Sequence, residues 1–202
     1  MERILNIIST HDFPTRNHQR RVSDLAANIS QQMGLSSEQT EFIRTIGSLH
    51  DIGKVVFPQE FMVKTTGLSP SERRLVVTHP KVGFDMLNSL GFPEIIKMSV
   101  LQHHEHIDGS GYPNGLKGDR IRIEAKVVTV ADVVDAMTSG RPYNTSLDVD
   151  DAVDEITKYS GRYYEPEVVE AYLEILKDPS QLPTNGYSNV LLGRPMELIL
   201  PW

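Results

Sequence analysis

Apolar residues recur at close to the helical period from about residue 17 to about residue 177, in segments punctuated by capping signals, which predicts an all-α body. Val22, Leu25, Ala26, Ile29 and Met33 form one stripe on a helix that Gly34 can close, with His18 in its first turn. Ser36 and Gln39 have capping-box spacing ahead of Phe42, Ile43, Ile46 and Leu49, so a second helix should reach His50–Asp51 and end or bend at Gly53. Ser69-Pro70-Ser71-Glu72 opens a helix through Val76 towards His79, where Pro80 breaks or restarts the chain. Pro93 opens another, with Ile96, Val100, His103 and His104 on a common face, and the turn-forming run Asp108-Gly109-Ser110-Gly111-Tyr112-Pro113 ends it.

From Ile123 to about Thr138, Val127, Val130, Ala131, Val134 and Met137 predict a strongly buried helix that also carries Asp132 and Asp135. Weaker helices are expected near 149–159 and 166–177. Residues 1–177 therefore read as one helical domain. In the tail, 178–202, Val190–Leu192 and Glu197–Leu200 flank Gly193-Arg194-Pro195 and predict a short β-hairpin.

Composition narrows the chemistry. At 39% apolar and 23% charged residues, the chain can build an ordinary core. No stretch approaches the ~20 apolar residues of a membrane span, and the N-terminal apolar run is too short for a secretory signal, so no membrane association and a cytoplasmic location are expected. Without cysteine there is no thiolate nucleophile, and any metal must be held by imidazole and carboxylate. A net charge of −7 argues against DNA as a partner, so an anionic substrate would need metal cations or local Lys and Arg.

His18, His50, His79, His103 and His104 each sit on or beside an expected helix, a distribution that suits a polynuclear metal site. Within His50-Asp51 an imidazole can bind one cation while the carboxylate bridges two. Lys54 would face the same way if the helix continued, and could hold a substrate phosphate; the plainer reading is a solvated lysine at a helix C-terminus. Asp132 is costly on an apolar helix unless it is metal-bound, salt-bridged or capping a neighbouring helix. Asp135, one turn on, could support the site indirectly or make an ordinary structural hydrogen bond, and Glu105 could orient a ligand.

Together, His50-Asp51-Ile52-Gly53-Lys54, His103-His104-Glu105 and Asp108-Gly109-Ser110-Gly111-Tyr112-Pro113 resemble the HD-GYP signature. The resemblance extends through Thr78-His79-Pro80, Ala131-Asp132-Val133 and Thr138-Ser139-Gly140-Arg141-Pro142-Tyr143 to Tyr164-Glu165-Pro166-Glu167-Val168-Val169. It implies the all-helical fold of the HD superfamily and hydrolysis of cyclic di-GMP to pGpG and/or GMP. It further implies metal ligands at His18, His50, Asp51, His79, His103, His104 and Asp132, with Asp51 bridging. Asp51 and Lys54 would be catalytic, and Lys54, Arg141 and Tyr112 would meet the substrate.

The implied cofactors are two divalent transition-metal ions, iron first, with manganese, nickel or cobalt as alternatives. Bound to such ions, water would be acidified to a pKa of about 7. A third ion is disfavoured, because Pro14 stands where the family often has a glutamate, unless Asp12 reaches in. Asn144 stands where a basic residue is common. A signalling partner such as a GGDEF domain could dock on the Asp108–Pro113 loop. Alternative readings are a catalytically weak cyclic-dinucleotide sensor or docking module, or a hydrolase of cyclic GMP-AMP.

Overall fold

The helix with the most continuous apolar sequence takes the centre. In the computed structural model, which describes residues 13–58, 60–61, 68–138 and 149–178, this helix runs Ile123–Thr138. Its Ala125, Val127, Val128, Val130, Ala131 and Val134 are fully buried, as expected of a helix apolar on several faces. Full burial of each larger aliphatic side chain contributes roughly 1.5–3 kcal/mol.

Eight α-helices lie among the described residues: α1, Phe13–Gln32; α2, Ser37–Leu49; α3, Pro70–Val76; α4, His79–Ser89; α5, Glu94–Gln102; α6, the central Ile123–Thr138; α7, Val149–Lys158; and α8, Pro166–Lys177. A 3-10 turn, Ile52–Val56, follows α2. α1, α2, α5, α7 and α8 all pack on α6. β-structure among the described residues amounts to isolated bridges, Asp108 with Lys117 and Ser160 with Tyr164. No described helix is long and apolar enough to cross a membrane. The expected hairpin in 178–202 lies outside the described residues beyond Asp178.

The capping signals were accurate guides. Ser36 and Gln39 form a reciprocal capping box, as do Ser69 and Glu72. Gly34 ends α1 at φ +72°, with the Leu35 N–H donating to the Ser30 carbonyl at 3.0 Å.

Two expectations need correction. α1 starts at Phe13 rather than near residue 17, since a proline such as Pro14 costs a first turn nothing; His18 is therefore in the second turn. Pro80 restarts the chain as expected, because it suits the first turn of α4 but cannot continue α3. α5 stops at Gln102, so His103 caps it and His104 follows in the turn rather than on its face.

One glycine sets how these ends meet. A Cβ at Gly53 would stand 2.1 Å from the His79 carbonyl oxygen and 2.7 Å from the Gly83 nitrogen. Only glycine lets the 3-10 turn lie against the start of α4, and that contact brings His50 and Asp51 to His79.

Candidate metal centre

Three histidines are set by the same device. The Nδ1 of His50 lies 2.8 Å from the Gly47 carbonyl, that of His79 2.8 Å from the Val76 carbonyl, and that of His103 2.6 Å from the Val100 carbonyl. A carbonyl can only accept, so each Nδ1 donates. Each accepting carbonyl belongs to the last turn of a helix, where backbone oxygens lack a following N–H. In the neutral ring, the lone pair is then on Nε2, and all three Nε2 atoms point into one volume.

Asp51, nearly buried at the end of α2, occupies the middle of that volume. Its Oδ1 is 3.3 Å from His79 Nε2, and its Oδ2 is 3.4 Å from His50 Nε2 and 2.7 Å from Lys54 Nζ. α2 gives way to the 3-10 turn in the region where it was expected to end or bend, and from that turn Lys54 still directs its ammonium to Asp51. From α6, Asp132 brings its Oδ1 to 3.2 Å from His18 Nε2 and 3.7 Å from His50 Nε2.

The donor atoms fall into two overlapping groups, each within 4.8 Å: Asp51, His79, His103 and His104, and His18, His50 and Asp51. Asp51 belongs to both. Every residue expected at the centre, His18, His50, Asp51, His79, His103, His104 and Asp132, is brought to it, as is Lys54. Arg141 lies outside the described residues.

The arrangement fits divalent cations. His50 Nε2 and Asp51 Oδ1 are buried without a hydrogen-bond partner among the described residues, a costly state for polar atoms. His79 Nε2 and His103 Nε2 face each other at 3.2 Å, although both Nδ1 atoms already carry their protons. A cation between such lone pairs removes the conflict, and mixed imidazole and carboxylate donors suit transition metals.

Electrostatics divide the cluster. Burial, reinforced by the neighbouring rings of His104, His50 and His79, holds His103 well below the ordinary imidazole range. Burial takes His104 down to about 3 against the pull of Asp132. At His18, burial opposes charge, yet hydrogen bonds to Asp132 and Asp135 prevail and raise it from 6.5 to about 9. His50 is raised as well, because Asp51 outweighs its burial. Asp51 stays well below the usual carboxylate range despite burial, held there by Lys54 and His50.

Three side chains, Glu105, Tyr112 and Arg21, take parts that the sequence pattern did not suggest. The Glu105 carboxylate, expected to orient a ligand, instead accepts the backbone N–H groups of Asn114 at 2.7 Å and Leu116 at 2.9 Å, so it braces the loop. Within that loop the Tyr112 ring stacks on His104, with centroids 4.8 Å apart and planes at 25°. A Cβ at Gly111 would sit 2.4 Å from the His104 carbonyl oxygen, so glycine is what lets the loop close over this histidine. Asp135, for which indirect support and an ordinary structural hydrogen bond were both open, accepts from His18 Nδ1 at 2.7 Å. Its other partner, Arg21, was missed; the signal for it was the three-residue spacing His18 to Arg21 set against the equal spacing Asp132 to Asp135.

Comparison with known proteins agrees with the fold and the motifs. Residues 2–168 match the HD-domain family. A cyclic di-GMP phosphodiesterase of Thermotoga maritima is 40% identical over 179 residues, 87% of this chain and 48% of that protein. The cyclic di-GMP phosphodiesterase response regulator RpfG of Xanthomonas campestris is 35% identical over 175 residues, 86% of this chain and 46% of that protein. The chain thus spans about half the length of these curated relatives. Among solved structures, the HD domain of the phosphodiesterase PgpH from L. monocytogenes superposes with a TM-score of 0.64 at 20% identity, covering 87% of this chain and 98% of that one. A cyclic GMP-AMP specific phosphodiesterase of V. cholerae gives 0.66 at 22% identity, covering 88% of this chain and 49% of that one. The chain belongs to the HD-domain family, in the HD-GYP group whose motifs it carries.

Proposed function

We propose that this chain is a metal-dependent phosphodiesterase that hydrolyses cyclic di-GMP to pGpG and/or GMP. The observation that carries this reading is Asp51, one buried carboxylate common to two groups of imidazole nitrogens, in which His50 Nε2 lacks a hydrogen-bond partner among the described residues and His79 Nε2 faces His103 Nε2. In the proposed assignment His18, His50 and Asp132 would hold one ion, His79, His103 and His104 would hold the other, and Asp51 would contribute to both. Pro14 in the place of the family's glutamate favours two ions over three, unless Asp12, which lies outside the described residues, supplies a carboxylate. Iron is the first candidate, and manganese, nickel and cobalt suit the same donors. When bound, such ions polarise a phosphodiester and make water nucleophilic at neutral pH.

The chain's own groups do the rest. Backbone carbonyls keep the protons of His50, His79 and His103 on Nδ1, so their Nε2 atoms need no rearrangement to accept an ion. Lys54 is the charged group at the rim, 27% exposed, and would stabilise charge developing on the phosphate oxygens. Arg141 is assigned to phosphate or guanine, and half-buried Tyr112 to a wall of the substrate site beside His104. The exposed rim of the Asp108–Pro113 loop, Ser110 and Pro113, offers a surface for a signalling partner such as a GGDEF domain.

Relatives named for cyclic di-GMP and for 3'3'-cGAMP define the experiment. Anaerobically purified protein is offered cyclic di-GMP, cyclic GMP-AMP and nucleoside monophosphates, and products are separated chromatographically. Cleavage of cyclic di-GMP to pGpG or GMP, with the highest kcat/KM of the panel, is expected. Preference for cyclic GMP-AMP would overturn the substrate, and full metal loading without turnover of any cyclic dinucleotide would make the chain a sensor.

A further inference from the structure

His18 differs from His50, His79 and His103 in where it sits. Those three stand at helix ends and use last-turn carbonyls to fix Nδ1. His18 is in the second turn of α1, where main-chain oxygens are already taken by the helix's own N–H groups. Its Nδ1 must be fixed from outside the helix, and Asp135 of α6 does this at 2.7 Å.

Asp135 is itself fully buried, and a carboxylate there needs both a counter-charge and a fixed orientation. Arg21, one turn after His18 on α1, supplies both. Its Nε donates to Asp135 Oδ1 at 2.6 Å and its Nη2 to Oδ2 at 3.0 Å. Two parallel bonds from a planar guanidinium define the plane of the carboxylate, which a single ammonium cannot do. The same Oδ2 that takes Nη2 takes His18 Nδ1, and the opposite edge of the His18 ring is directed at Asp132. The order of control therefore runs from the Arg21 fork to the Asp135 plane, and from there to the His18 ring.

We propose that Arg21, acting through Asp135, is a positioning residue for one ion only, the one assigned to His18, His50 and Asp132. The inference rests on the two-ion reading above. A simple staple between α1 and α6 would hold the helices together without distinguishing the ions, so the test must read each site.

Stepwise titration with Mn(II) and Co(II), followed by calorimetry and by the Co(II) visible absorption, resolves the two sites in wild type, Arg21→Gln, Arg21→Lys and Asp135→Asn. Arg21→Gln and Asp135→Asn are expected to weaken one site by roughly 10–100-fold and change its Co(II) band, leaving the other site at wild-type affinity. Arg21→Lys, which keeps the charge but not the fork, should give a smaller loss at the same site, and it serves as the test if either other variant does not fold. Wild-type affinities and spectra at both sites in the Arg21 variants would overturn this inference alone. A wild-type chain that takes up no metal would overturn the two-ion reading as well.

Discussion

The two ends of the cluster share Asp51 but are built on different chemistry. At the end formed by His79, His103 and His104, orientation comes from carbonyls of the local helices and from the stacked Tyr112, and burial keeps His103 and His104 unprotonated. At the end formed by His18, His50 and Asp132, orientation of His18 comes from carboxylates on a different helix, and the same carboxylates raise it to about 9. One end is ready to accept a cation, whereas the other must release a proton first. The difference shows how position in a helix decides which partners are available: a helix end offers carbonyls, and a helix interior must borrow an acid.

The largest effect should come from removing what the ends share. Asp51→Asn is expected to abolish binding of both ions and to lower turnover beyond the roughly 10²–10³-fold that a single lost transition-state donor costs; metal analysis together with a cyclic di-GMP assay checks it. Next, His104→Ala and His18→Ala should each cut the metal content from two ions to one, from opposite ends, and a variant that loses both ions would break the distinction. Lys54 approaches Asp51 from the rim rather than belonging to either end. Lys54→Met should therefore keep both ions while kcat falls about 10²-fold, as steady-state kinetics would show.

A smaller and more diagnostic effect is pH dependence. Since His18 is raised from 6.5 to about 9, a proton competes with the ion for it throughout that range. Affinity at the His18 end should tighten by at least about tenfold per pH unit until about pH 9, since His50 at the same end is raised as well, with no matching slope from His103 and His104, which calorimetric titration at several pH values can resolve. The smallest effect concerns the metal-free fold. A histidine raised on folding adds stability that is fully present below pH 6.5 and is lost as pH rises through about 9. The stability gap between the metal-free wild type and His18→Ala should shrink across that window in urea unfolding curves.

Much of the fold could be read from local signals, because Ser36 with Gln39, Ser69 with Glu72, and Gly34 each act through bonds to near neighbours in the chain. Pro80 likewise marked the division between α3 and α4, whereas the start of α1 was less legible, since a proline is tolerated in a first turn and forbidden in a later one, and the pattern around Pro14 alone does not say which turn it is in. At the centre, the histidines and acids were visible as motifs, and they do converge. What fixes their rings was not visible. The carbonyls of Gly47, Val76 and Val100 belong to no motif, because every residue has one. Arg21 was hidden because its role depends on α1 facing α6, a pairing set by the burial of α6 rather than by anything near residue 21.

The central claim, that Asp51 joins two ion sites into one hydrolytic centre, is tested most directly by counting metal per chain and cyclic di-GMP turnover on the same anaerobically purified samples of wild type and Asp51→Asn. The prediction is two ions per chain with hydrolysis in the wild type and loss of both in the variant. Retention of turnover in Asp51→Asn, or a wild-type chain that hydrolyses cyclic di-GMP with no metal bound, would contradict it.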